Sequence, residues 1–307
     1  MRPIVIASAK RPPAILRFLV SALLILAAYL LAGVAFGLLG FTPLAWALYP
    51  NLLLIALLWG FTTLLYSLDR VRSSLLEAAG LPFVGEALRD ALAGIIFGLA
   101  TVSVVVAAVA LRGRVHLAYI GMHPAALMLS FWVLAAAAMA EELVFRGYPL
   151  HRLIEALGVP IAVAVTSCLF GLVHLRNPHA SLLGALNTAE VGVLLALAYV
   201  RTRSLWLPWG IHFGWNAALG LGYGLVVSGF SNFSVAIAGT LEGPRWLTGG
   251  EYGIEASATT TAANLVAIVV LVALVKQRAA PEVIVRPPQQ PPRITCEPHE
   301  NGSSGIQ

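Results

Sequence analysis

"LMLSFWVLAAAAMAEELVFR", Leu127 to Arg146, decides the fold class. Its first fourteen residues, through Ala140, carry no charge. Glu141, Glu142 and Arg146 then follow inside what reads as one continuous helix. About 20 mostly apolar residues cross a ~30 Å hydrocarbon core. A charge at mid-membrane costs at least ~2.5–3.5 kcal/mol, so a membrane helix turns such groups toward the protein interior and keeps them for a purpose.

The rest of the chain agrees with a membrane setting. It has 307 residues, of which 59% are hydrophobic and only 11% charged, with a mean hydropathy of +0.86. Soluble domains carry about 25% charged residues, so this chain lacks the polar surface to dissolve itself. The net charge of +5 does not point to nucleic acid, because the basic residues sit at the ends of apolar runs rather than in a patch. Cys168 lies in an apolar run and Cys296 in a polar tail, which makes a disulfide between them unexpected and forms no metal motif.

Eight apolar runs follow, near 14–39, 44–67, 91–111, 124–147, 159–176, 181–200, 206–229 and 257–276. They predict an all-α, polytopic transmembrane helix bundle whose partners include membrane lipids. The first run is too long for a signal-peptide core and is expected to be retained. Residues 71–90 are mixed and read as an interfacial amphipathic piece. Residues 230–256 read as an irregular loop. The stretch from 277 to 307, rich in Pro, Gln and Ser, is expected to be disordered. This divides the chain into N-terminal spans and an interfacial segment (1–90), a core (91–276) and a tail (277–307). With the N-terminus inside, fifteen of the 19 lysines and arginines fall on the cytoplasmic side. Both termini are therefore expected to be cytoplasmic.

Polar residues inside the runs are the candidates for chemistry. Glu142 and Arg146, at i,i+4, share a helix face and can pair, whereas Glu141 points about 100° away. The next run ends in "CLFGLVH", with Phe170 and His174 also at i,i+4. Counting back from Leu157 to Glu141 covers the same length as counting forward from Gly158 to His174. In an antiparallel pair the two side chains therefore reach similar depth and could share a water or a metal. The seventh run holds "WGIHFGWN", which places His212 and Asn216 on one face. A glutamate base, a histidine that holds water and further donors for an oxyanion are the parts of hydrolysis. His116, His123 and His151 fall at span ends and read as interfacial, with His179 beyond the site. Glu190 should face the bundle as a structural partner of its neighbours. The only "HE", His299–Glu300, lacks the second histidine of an ordinary zincin.

Taken together, "EELVFR" (Glu141, Glu142, Arg146), "FGLVH" (Phe170, His174) and "HFGWN" (His212, Asn216) resemble the three motifs of the CPBP intramembrane protease family. That family includes type II CAAX prenyl endopeptidases and bacterial Abi-like, bacteriocin-immunity-like proteins. The stretches "YVRTRSLWLPWGIHFGWN" and "WLTGGEYGIEAS" resemble its bacterial branch, which implies a bacterial cell membrane. The resemblance covers roughly residues 90–275. It implies an endopeptidase with Glu141 as the base, His174 orienting water, and His212 with Asn216 holding the oxyanion. Glu142, Arg146 and Phe170 would be structural support. The family has been described both as zinc-dependent and as metal-free. Glu141, His174 and His212 are acceptable zinc ligands in kind, while Asn216 is a poor one. The implied substrates are peptides or lipidated proteins at the membrane, CAAX-type or otherwise. The alternative of a non-catalytic immunity or adaptor protein on the same fold predicts that a motif residue is lost, and all are present. A transporter predicts repeated halves, and none is found.

Overall fold

The computed structural model describes residues 4–7, 12–39, 45–69, 71, 74–82, 85–231, 233–278 and 283–286. All eight apolar runs form helices. The first two are α1 (Ala14–Leu39) and α2 (Ala45–Leu68). A single turn, α3 (Leu75–Ala78), is capped by Ser74 and precedes α4 (Gly85–Ala110). The interfacial piece expected over 71–90 is therefore shorter, because its last residues already belong to the third span.

Helix α5 (Pro124–Arg146) breaks at Gly147 and resumes as α6 (Tyr148–Leu157). Together they form an apolar stretch of 34 residues. Gly158, at φ 79°, turns the chain into α7 (Val159–His174). Then come α8 (Leu182–Thr202), capped by Ser181, and α9 (Trp206–Ala217). A π turn, Ala218–Gly222, ends α9, so the seventh span stops short of the expected residue 229. Gly220, Gly222 and Gly224 lie at this point, and Gly224 (φ 61°) turns the chain out of the helix. The expected loop after it contains α10 (Arg245–Thr248) and two short 3-10 turns before α11 (Ala258–Leu274). Among the described residues, five helical stretches are long and apolar enough to cross a membrane, and α7 and α11 are shorter apolar helices.

The bundle is all-α as expected, and among the described residues only two small two-stranded sheets accompany it. β1 (Ile4–Ala7) pairs in parallel with β4 (Val283–Arg286). β2 (Val115–Tyr119) pairs antiparallel with β3 (Ile237–Leu241). The start of the expected disordered tail is anchored, since Arg278 forms a bidentate ion pair with Asp90 at 2.7 and 2.6 Å. The tail beyond Arg286, with Cys296, His299 and Glu300, lies outside the described residues.

Glycines set the tightest contact in the bundle. Gly94 and Gly98 on α4 face Gly210 and Gly214 on α9. A Cβ on Gly98 would lie 2.1 Å from the Ile211 carbonyl oxygen, and one on Gly214 would lie 2.4 Å from the Ile95 carbonyl oxygen. Small residues spaced by four let two helix backbones touch where lipid supplies no hydrophobic drive. The contact advances in the same sense along both helices, so α4 and α9 run parallel. On the other flank, Gly171 of α7 packs against Ala185 and Ala189 of α8, and Gly192 packs against Ser167. That register is antiparallel.

The end of the bundle that holds the α6–α7 turn is cross-linked by charge. Asp69 accepts from Arg17 at 3.1 Å, Arg152 at 3.2 Å and the Tyr148 hydroxyl at 2.8 Å. Arg17 also pairs with Glu155. His151 differs from the interfacial expectation, because it is wedged between the hydroxyls of Tyr66, at 2.6 Å, and Tyr199.

Candidate functional site

The site starts from a commitment made by Glu142. Fully buried in α5, it accepts from Arg146 Nη1 at 3.1 Å. The sequence predicted this i,i+4 pair but not its second partner, because His212 Nδ1 on α9 lies 2.9 Å from the same Glu142 oxygen. Arg146 also donates from Nη2 to the Gly192 carbonyl of α8 at 3.2 Å. One buried acid and one buried base therefore tie together α5, α8 and α9.

Phe170 supports the same arrangement. It is 2% exposed, and the Arg146 guanidinium lies 4.5 Å above its ring centroid. Its ring contacts those of Phe145, His174 and His212 at 5.0, 4.6 and 6.0 Å between centroids.

Glu141 faces away from this knot, as the 100° rotation requires. Its Oε2 lies 3.9 Å from His174 Nε2 and 3.8 Å from His212 Nε2. That oxygen is buried and has no hydrogen-bond partner among the described residues. His174 Nδ1 is 2.7 Å from the Phe170 carbonyl oxygen, an acceptor only, so Nδ1 carries the proton. His212 Nδ1 donates to Glu142 in the same way. Both imidazoles thus direct Nε2 at the Glu141 carboxylate, with the opposite nitrogen fixed by an acceptor. The depth count from the α6–α7 turn is matched here, because α5 and α6 run on as a single stretch.

The three donors suit zinc in kind but not in spacing. Ligands at ~2.05 Å in a tetrahedron stand ~3.3 Å apart, less than the 3.8 and 3.9 Å found here. Among the described residues, no group of three His, Cys, Asp or Glu side chains is placed to hold a metal ion. The arrangement as it stands does not fit a metal site.

A cavity adjoins the two histidines. His174, His212 and Asn216 line it together with Trp215, Asn187 and Glu255. Glu255 was not singled out by sequence reasoning, because it lies in a loop outside every apolar run. Its carboxylate accepts from Trp215 Nε1 at 3.1 Å, from Ser228 Oγ at 3.1 Å and from the Ser228 backbone N–H. Burial pushes this carboxyl above its ordinary range, against the opposing effect of the Ser228 and Trp215 donors. Asn187 donates to the Glu255 and Ser257 carbonyl oxygens at 2.7 and 2.9 Å. Glu190 faces the bundle as expected, 3.5 Å from Asn264 Nδ2. His179 and His116 pair with Glu251 and Glu242 away from the site.

Residues 122–218 match the family model described as type II CAAX prenyl endopeptidase Rce1-like. Over that third of the chain the sequence is similar to the Rce1-like family. The matched stretch contains Glu141, Glu142, Arg146, Phe170, His174, His212 and Asn216. The matched family is one of membrane peptidases of the CAAX type. The long apolar helices make the chain a multi-pass membrane protein. No curated protein and no solved structure matches the chain.

Proposed function

We propose that the chain is an intramembrane endopeptidase that hydrolyses peptide bonds close to the membrane with a water activated by Glu141. One observation carries the reading: the carboxylate of α5 and the Nε2 atoms of α7 and α9 converge at 3.8 and 3.9 Å inside a lipid-facing bundle. A water within hydrogen-bonding reach of all three would donate a proton to Glu141 Oε2 and be oriented by His174 Nε2. Attack on the scissile carbonyl would move that proton to Glu141, which returns it to the departing amine. The tetrahedral oxyanion needs donors. Asn216, one turn beyond His212, offers its amide N–H. His212, with Nδ1–H held by Glu142, offers Nε2–H in its imidazolium form. Glu142, Arg146 and Phe170 hold His212 and the helix that carries the base. The excess of basic residues on one face supports cytoplasmic termini, and the resemblance to bacterial sequences favours a bacterial cell membrane.

The test is turnover of a library of lipidated and unlipidated peptides by protein reconstituted in liposomes. Wild type should cleave a subset, whereas Glu141→Gln should lose cleavage with an unchanged melting temperature. Equal turnover by the variant would sink the proposal. Equal inactivity of both across the library, with specific binding of a membrane protein, would favour the adaptor reading.

A further inference from the structure

The helix directions fix which face of the membrane the cavity belongs to. The floor of the cavity is made by Gly98, Leu194 and Ile211, and its rim by Ser228, Glu255 and Thr260. Ser228 and Glu255 lie in the connection between α9 and α11, and Thr260 is the third residue of α11. His174, also on the wall, is the last residue of α7, and Thr188 lies early in α8. These chain ends all share the face that carries the β2–β3 pair. The Gly224 carbonyl, accepting from Gly239 N at 3.1 Å, joins that pair to the rim connection. The opposite face holds the α6–α7 turn at Gly158, the α8–α9 turn at Arg203 and the Arg278–Asp90 clamp.

Charge separates the two faces. Arg89, Arg152, Arg201, Arg203, Lys276 and Arg278 stand on the clamp face, whereas the cavity face has Arg112, Arg114, Arg176 and Arg245. Glu242 and Glu251 pair with histidines on the cavity face. Cytoplasmic segments carry the excess of Lys and Arg.

Resting on the endopeptidase reading above, we infer that the cavity is reached from the side of the membrane opposite the termini. Its substrate is then a peptide segment exposed outside the cytoplasm, at or just within the outer leaflet. A prenylated C-terminus presented from the cytoplasm meets the clamp face and the Asp69 charge network instead, with the cavity floor between it and the histidines.

The test uses single cysteines in a full-length background with Cys168→Ser and Cys296→Ser. Ser74→Cys marks the clamp face, Thr240→Cys the β2–β3 face and Thr188→Cys the cavity wall. Intact cells are treated with a small, membrane-impermeant charged thiosulfonate before and after permeabilisation. The expected result is labelling of Thr240→Cys and Thr188→Cys in intact cells, with Ser74→Cys protected until the membrane is opened. Three results overturn the inference: Thr188→Cys labelled only after permeabilisation, Thr188→Cys labelled under neither condition, or the protection of Ser74→Cys and Thr240→Cys reversed. Because labelling needs no turnover, a loss of the endopeptidase reading in the peptide assay leaves this outcome readable on its own.

Discussion

Gly98→Ala should damage catalysis through the packing of α4 on α9, from the floor of the cavity rather than from the groups that carry the chemistry. A Cβ there would stand 2.1 Å from the Ile211 carbonyl oxygen and 2.8 Å from the Trp215 nitrogen, and real Cβ contacts essentially never fall under 3.0 Å. Both obstacles are backbone, so no side-chain rotation relieves them, and α4 and α9 must part by about 0.9 Å. His212 and Asn216 each follow one of the crowded residues and must move with α9. Taken along the His212–Glu142 direction, that displacement stretches the 2.9 Å contact to about 3.8 Å, beyond hydrogen bonding. A misplacement of ~1 Å costs about 100-fold in rate, or about 2.7 kcal/mol of transition-state stabilisation. Overpacking adds roughly 1–3 kcal/mol of lost stability. The assay is kcat and KM for peptide cleavage in liposomes, alongside the melting temperature in detergent. Gly60→Ala is the control, since a Cβ there meets nothing within 4 Å. Wild-type kcat and melting temperature in Gly98→Ala would refute the reasoning that the glycine contact sets the placement of His212.

Arg146→Ala should fold poorly, since it leaves the fully buried Glu142 with His212 alone as partner among the described residues; breaking a buried pair costs up to about 3–5 kcal/mol, read as lost yield and melting temperature. Asn216→Ala should keep KM and lower kcat by roughly 10²–10³-fold, the cost of one oxyanion donor; an unchanged kcat would remove Asn216 from the mechanism. Glu255 predicts a pH dependence of stability. Its carboxyl is held above the ordinary range in the folded protein, so the native state keeps the proton to higher pH than the unfolded chain. Stability from this group is then greatest below the ordinary carboxylate range and declines as pH rises toward the raised value. Glu255→Gln should flatten that slope in melting temperature against pH, and a slope identical to wild type would show that another group causes it.

The spans were legible because each is a long apolar run, and their ends came within a few residues wherever a proline or a cap marks the start. The seventh was overextended, because Gly220, Gly222 and Gly224 continue an apolar composition while breaking the helix. The meeting of Glu141 with His174 followed from simple counting, since depth along straight helices depends only on rise per residue. Two features were hidden. The bond between Glu142 and His212 joins residues seventy positions apart, and no periodicity relates α5 to α9. Glu255 sits in a loop that hydropathy treats as featureless, although its carboxylate is held by Trp215, the neighbour of Asn216. The paired glycines of α4 and α9 were visible as "GIIFG" and "GIHFG", yet only the parallel packing shows that they face each other.

The helices around the site differ in reach. The 23 residues of α5 and the 10 of α6 measure ~35 and ~15 Å at 1.5 Å per residue, whereas α7, with 16 residues, measures ~24 Å. A bilayer core of ~30 Å matches none of them. The long member must lean or protrude, and the lipid beside the short one must draw inward. His174 terminates that short helix, so the headgroup layer dips toward the imidazole and shortens the path by which a polar backbone arrives from the aqueous phase. On the endopeptidase reading, turnover in liposomes should then rise in bilayers of short acyl chains and fall in those of long ones.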